Sequence, residues 1–353
     1  MSFSNPSIIL HSQTAVDYTI FDCKWIPGEA KLTSIGIKPN ASGIIQVQQL
    51  LSSNEEKGLK LVQEIPTESG LRCSVFNNDN NLITGNYKGQ VEIRDASKLS
   101  SEPKIKWDAH KQLVTTVDCI GDCTGRPEVV SGGQDGKVKV WDVRQKDKAV
   151  LEMIPDDSDF ARECWTVAFG GSYGPEERYV CAGFDSGDIK IFDMRKCSVY
   201  WEHKLDNGVC CVQFDRKDIR LNKLVAVGLN SSISVFDLLP INTLNIKSVS
   251  QKEHDSTIWT VRHLPQNREV FVTCGGTGSL NLWKYNYPAK RITLNNQGEQ
   301  VGEAGTLDKL CSQNVSTQPI CSLDWNREML GLACAGAFDQ CIRILISTKL
   351  NLL

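Results

Sequence analysis

The sequence predicts an all-β chain, residues 1–353, folded as one seven-bladed propeller. Three observations lead there. A hairpin phrase with alternating polar and apolar residues recurs along the chain, its copies have a nearly constant spacing, and no stretch is left over for a second domain.

The phrase is clearest in SGGQDGKVKVWDVR, Ser131 to Arg144. Its glycines could cradle a phosphate, but such a loop leads straight into a helix. Here Lys137 to Trp141 alternate with period two and follow another strand-like run, Glu128 to Ser131. Asp135-Gly136 between two such runs is a hairpin turn.

Close copies are YVCAGFDSGDIKIFDMR (Tyr179 to Arg195), LVAVGLNSSISVFDL (Leu224 to Leu238) and VFVTCGGTGSLNLWK (Val270 to Lys284). Weaker ones are LITGNYKGQVEIRD (Leu82 to Asp95) and LACAGAFDQCIRILI (Leu332 to Ile346), and SGIIQVQQL (Ser42 to Leu50) has lost its turn. Aligned at the tryptophan, they fall at Gln48, Arg94, Trp141, Phe192, Phe236, Trp283 and Leu345, with spacings of 46, 47, 51, 44, 47 and 62. A period of roughly 40–45 is that of four-stranded propeller blades. A short strand precedes each copy (DCKW, CSVF, TTVDCI, TVAF, CVQF, TVRHL, CSLDW), and a fourth is expected after it. In a ring, each blade covers a face that its neighbour leaves open.

An open ring would leave pairing edges exposed. The apolar run Ser7-Ile8-Ile9-Leu10 is therefore expected to close it as the outer strand of blade seven, beside Ile342 to Ile346. The long gap before Leu345, including YNYPAKRITLNNQGEQVGEAGTLDKLCSQN, reads as an outer-strand excursion or a mobile loop.

Bulk properties narrow the function classes. Net charge is -3 and no basic stripe is present, so nucleic acid and acidic membranes are not expected partners. The start, MSFSNPSIILHSQ, lacks a signal-peptide pattern, and no run approaches 18 apolar residues. Of 14 cysteines, Cys73, Cys119, Cys164, Cys181, Cys274, Cys321 and Cys334 lie in strand-like runs, where thiols act as small hydrophobes. No Cys-x-x-Cys occurs, and Cys119 with Cys123 has no second ligand pair nearby. The expectation is no metal, no cofactor and a reduced cytoplasmic setting. His-Glu-x-x-His and Gly-Lys-Ser/Thr motifs are missing. Asp156-Asp157 and Glu176-Glu177, beside Pro155 and Pro175, read as solvated turns. An enzyme is not expected.

Blade geometry points to a binding face. The residue after the first buried position of each inner strand should lie at one rim of the channel: Phe21, Arg72, Thr115, Trp165, Cys210, Trp259 and Cys321. The residue before each turn's Asp position should lie there too: Tyr87, Gln134, Phe184, Asn230, Gly276 and Phe338. Six of these thirteen are aromatic in a chain that is 7% aromatic. Aromatic anchors are the usual hot spots of protein interfaces. Phe21, Arg72, Tyr87, Trp165, Phe184, Trp259 and Phe338 are thus candidate partner-binding residues, with Trp165 and Trp259 as principal anchors. The alternative is that the rings plug the channel. None of the thirteen is acidic, which counts against a reader of methylated tails.

The repeat ending in Trp-Asp is similar to the WD-repeat pattern. That resemblance implies that His110, Ser131, Asp135 and Trp141 form a structural hydrogen-bonded tetrad in blade three. Blade six keeps His254, Thr273 and Trp283 but has Thr277 for the Asp, so its network should be weaker. WDVR and FDMR, ending at Arg144 and Arg195, also resemble the Trp-Asp-x-Arg motif of cullin-ligase substrate receptors.

Longer phrases carry a narrower resemblance. ECWTVAFG (Glu163 to Gly170), NGVCCVQFDRKDI (Asn207 to Ile219), VRHLPQNRE (Val261 to Glu269) and LWKYNYP (Leu282 to Pro288) resemble the Monad-type WD-repeat family. So do STQPICSLDW (Ser316 to Trp325) and AFDQCIRILISTKLN (Ala337 to Asn351). Departures lie at Ile37 to Asn40, around Asn54 to Lys57, and at Thr293 to Leu310. The resemblance implies a non-enzymatic adaptor, monomeric on its own, in cytoplasmic preassembly of axonemal dyneins. Its implied partners are the tetratricopeptide-repeat co-chaperone of the RuvB-like ATPase complex and prefoldin-like subunits. The implied client is the dynein heavy chain, and links to apoptosis are ascribed to the family.

Overall fold

The computed structural model describes residues 5–52, 57–120, 128–145, 148–153, 162–172, 174, 177–239 and 246–353. Seven four-stranded antiparallel sheets form the blades of a ring. The inner strands are Thr19–Trp25, Leu71–Phe76, Val114–Cys119, Cys164–Gly170, Val209–Phe214, Ile258–Leu264 and Ile320–Trp325. All seven tryptophan-position residues lie on third strands and pair with second-strand residues: Trp141 faces Val129, Trp283 faces Phe271 and Leu345 faces Ala333.

Second strands such as Tyr179–Phe184 and Lys223–Gly228 are buried at every position. Their two faces both meet sheet, which is why they read as continuous apolar runs. The buried apolar residues fall into seven clusters, one at each interface between blades. Between blades one and two, for instance, Ile35 and Ile45 pack with Leu71 and Leu82.

Ser7–Ala15 pairs antiparallel with Cys341–Thr348, so the N-terminal strand closes blade seven as expected. The long gap is an excursion. The outer strand of blade six is Thr306–Asn314, preceded by a two-stranded hairpin of Ile292–Leu294 and Gln300–Gly302. A lone hairpin is marginally stable. Arg291 anchors this one to blade five, its Nε donating to Asp237 Oδ2 at 2.7 Å, and Gly305 N donates to Tyr285 Oη at 2.8 Å.

The acid pair Asp156-Asp157, Glu176, Cys123 and the departure at Asn54 to Glu56 lie outside the described residues. Among the described residues no helix is long and apolar enough to cross a membrane.

Candidate interaction rim

Every inner strand carries a register shift at the position predicted to face the rim. The ladder skips Phe21, Arg72, Thr115, Trp165, Cys210, Trp259 and Cys321 in turn. A bulge leaves its extra residue unpaired and re-aims its side chain. All seven consequently line the mouth of one axial cavity of about 360 Å³. They are half-buried rather than freely exposed.

Below the bulges, the inner strands bind one another without a backbone ladder. Their axial edges would otherwise leave N–H groups unpaired. Polar side chains accept those bonds from the next blade. Asp22 Oδ2 accepts from Ser74 N at 3.0 Å, Thr166 Oγ1 from Val212 N at 3.1 Å, and Gln213 Oε1 from His263 N at 2.7 Å. Asp324 Oδ2 accepts from Trp25 N at 2.9 Å, carrying the pattern across the closure. Burial would raise the Asp22 carboxyl, but Lys24 at 2.6 Å and Ser322 at 2.6 Å hold it below its ordinary range. This interior polar lining was not foreseen from the sequence. Its signal is a polar residue one or three places after the bulge in six of the seven blades; blade two has Cys73 and Val75 there and uses Ser74 instead.

The turn positions need two corrections. The residue two places after each rim position has positive φ: Gly89, Gly136, Gly187, Ser231, Gly278 and Gln340. At Gly136, φ is +76° and an added Cβ would lie 2.4 Å from Arg162 O, so this place needs glycine. Counting back from these residues gives Tyr87, Gln134, Asp185, Leu229, Gly276 and Phe338. Phe184 is therefore not at the rim; it pairs with Cys164 and is 2% exposed in the core between blades three and four. Asn230 occupies the turn itself, its side-chain oxygen accepting from Ser232 N at 3.2 Å. Phe184 and Asn230 were misplaced because Asp-Ser-Gly and Asn-Ser-Ser mimic the Asp-Gly turn one residue out of step.

The remaining aromatics divide into an arc and an outlier. Trp259 meets Phe338 edge-on at 6.2 Å, Phe338 meets Phe21 at 6.4 Å, and Phe21 meets Tyr87 at 5.9 Å. The arc spans blades six, seven, one and two. Arg72 lies over Phe21, its Cζ 5.1 Å from the ring centre. Trp165, on blade four, donates from Nε1 to Glu163 Oε2 at 3.0 Å, and Gln134 Nε2 donates to Glu163 Oε1 at 2.9 Å. Burial, with Glu163 nearby, raises the Asp185 carboxyl above its ordinary value. Carboxylates therefore do stand at the mouth, beside Trp165, contrary to the expectation of an acid-free rim.

The tetrad residues come together in blade three. His110 Nε2 lies 2.8 Å from Ser131 Oγ, His110 Nδ1 lies 2.8 Å from Asp135 Oδ1, and Trp141 Nε1 donates to Ser131 at 2.9 Å. Arg144 is bound to its own Asp142, with Nε to Oδ1 at 2.9 Å.

Comparison with known proteins fits this architecture. The WD domain, G-beta repeat family matches residues 101–142, which contain the tetrad. Over 358 residues the chain is 45% identical to dynein axonemal assembly factor 10 of Bos taurus, covering 99% of both chains. The chain belongs to the dynein axonemal assembly factor 10 family. The Homo sapiens protein of that name is 44% identical over 358 residues, again covering 99% of both chains. The Chlamydomonas reinhardtii protein is 40% identical over 357 residues, 99% of this chain and 98% of its own. The Monad-type resemblance thus extends over the whole chain. The departure at Thr293 to Leu310 coincides with the inserted hairpin and the start of its outer strand.

Proposed function

We propose that the chain is a non-enzymatic adaptor in dynein assembly, acting as one propeller unit over residues 1–353. The observation that supports this reading is the aromatic arc at the rim, with Phe21 and Trp259 on bulged inner strands and Tyr87 and Phe338 at turns, in a chain whose full-length relatives carry an assembly factor's name. Each bulge fixes where its side chain points, so the surface is preorganised and loses little freedom on binding. In this reading the rim docks the tetratricopeptide-repeat co-chaperone of the RuvB-like ATPase complex, a prefoldin-like subunit or a dynein heavy-chain segment, in the cytoplasm. The chain is a monomer on its own.

The test is recovery of those chaperone subunits by Trp165→Ala and Trp259→Ala, singly and together, with thermal melting alongside. Truncating a central anchor costs about 2 kcal/mol or more, roughly thirtyfold in affinity. Undiminished recovery by a folded double variant moves the site off this face. Trp259 edges onto Phe338, so a large loss of stability in Trp259→Ala would favour the rings as a channel plug.

A further inference from the structure

Arg72 is a cation at the mouth, and among the described residues no carboxylate pairs with it. It sits on the bulge of blade two with its guanidinium over the face of Phe21. Among the described residues it forms neither an ion pair nor a hydrogen bond. Asp22, just below Phe21 on blade one, is already committed. One of its oxygens takes Lys24 and Ser322, and the other takes the backbone and hydroxyl of Ser74. A guanidinium held over a ring without hydrogen bonds keeps its N–H groups free, and their fork matches a carboxylate bidentately.

The rest of the mouth sets the polarity of an incoming chain. Trp259, Phe338, Phe21 and Tyr87 give an apolar wall running up to Arg72. Two blades further round, Glu163 and Asp185 flank Trp165 and would repel an acid placed there. A carboxylate is therefore favoured at blade two and disfavoured at blade four.

We propose that the rim recognises a protein segment in which an acidic side chain stands next to an aromatic or large aliphatic one. The acid seats on Arg72 and the apolar neighbour packs on the arc. This rests on the rim being the docking face, and it adds the chemistry of what docks there. The Coulombic part is exposed at the mouth, so it weakens as salt rises, while the aromatic part does not.

The probe is a phage-displayed random dodecapeptide library selected on the full chain. Enriched peptides are then synthesised and measured by fluorescence anisotropy against wild type, Arg72→Glu, Arg72→Lys and Trp259→Ala. Acidic-aromatic sequences should be enriched. Their affinity should fall about tenfold or more in Arg72→Glu and in Trp259→Ala, and less in Arg72→Lys, which keeps the charge. Enrichment of sequences without acids, or no enrichment, overturns the proposal. Affinity that Trp259→Ala abolishes but Arg72→Glu leaves intact overturns the proposal while the rim reading stands. Indifference to both variants removes both.

Discussion

Blades three and six are built around the same histidine and differ in what faces its Nδ1. In blade three Asp135 Oδ1 lies 2.8 Å away, and the same carboxylate accepts Lys111 N at 3.1 Å and Lys137 N at 3.2 Å. Burial would raise Asp135, but His110 and these N–H groups bring it down to about 2. In blade six Thr277 replaces the acid, and Ser279 Oγ fills the place at 3.2 Å from His254 Nδ1. A hydroxyl completes the hydrogen bond without offering a negative charge. Burial then dominates and pushes His254 down to about 4. The other ends of the two networks match: Trp283 donates to Thr273 at 2.8 Å, as Trp141 does to Ser131 at 2.9 Å. The hydrogen-bond geometry can thus be kept by a neutral group, whereas the response to protons cannot.

The largest expected effect separates the blades by pH. His254 has a folded pKa below its ordinary 6.5, so its contribution is complete above 6.5 and is lost as pH falls through about 4. The loss amounts to about 3 kcal/mol at 1.36 kcal/mol per unit. Urea unfolding of His254→Gln between pH 7 and pH 4 should show a much flatter decline than wild type; parallel curves would break the comparison. Asp135 acts lower, its contribution complete above 3.8 and lost as pH falls through about 2.

Next, Asp135→Ala should cost about 1–3 kcal/mol at neutral pH by stranding buried donors. The penalty should shrink as the pH approaches 2. Melting should remain one transition if all seven blades form one unit. Two transitions would divide the chain, and an unchanged stability with loss of partner binding would make Asp135 a contact residue.

A smaller gain is expected from giving blade six its acid. Thr277→Asp should add about 1 kcal/mol and raise the His254 pKa, read by NMR titration of the ring. No movement of that pKa would mean the side chain cannot reach Nδ1. Smallest of all is the difference between Trp141→Phe and Trp283→Phe. Each loses one hydrogen bond, about 1 kcal/mol, and the two losses should agree within about 0.5 kcal/mol in denaturant titrations.

Much of this was legible because repeats average out local ambiguity. Any one hairpin copy is a weak signal, yet the alignment placed every tryptophan-position residue and picked out the seven inner-strand positions at which the structure has bulges, since both are tied to the strand period. The turn residues of blades four and five failed because register there is set by one positive-φ residue, which is serine at 231. Asp185 was hidden by that slip. Ser279 was hidden because a residue two places from the expected one took over its bond. The links between inner strands join residues about 50 positions apart, as with Gln213 and His263, so no local pattern displays them.

The strap that closes blade seven has a consequence for how the chain is made. Ser7 and Thr348 lie side by side, their hydroxyl oxygens 2.8 Å apart. Bringing such distant ends together costs about 5 kcal/mol of chain entropy. On the ribosome, Ser7–Ala15 emerges before every other strand of the ring and waits for Cys341–Thr348, the latest of them to be made. During that interval Ile8 and its neighbours lack their partner strand, and blade seven stays unclosed. Nascent chains stalled before Cys341 should therefore offer Ser7–Ala15 to protease, whereas the released chain should protect it.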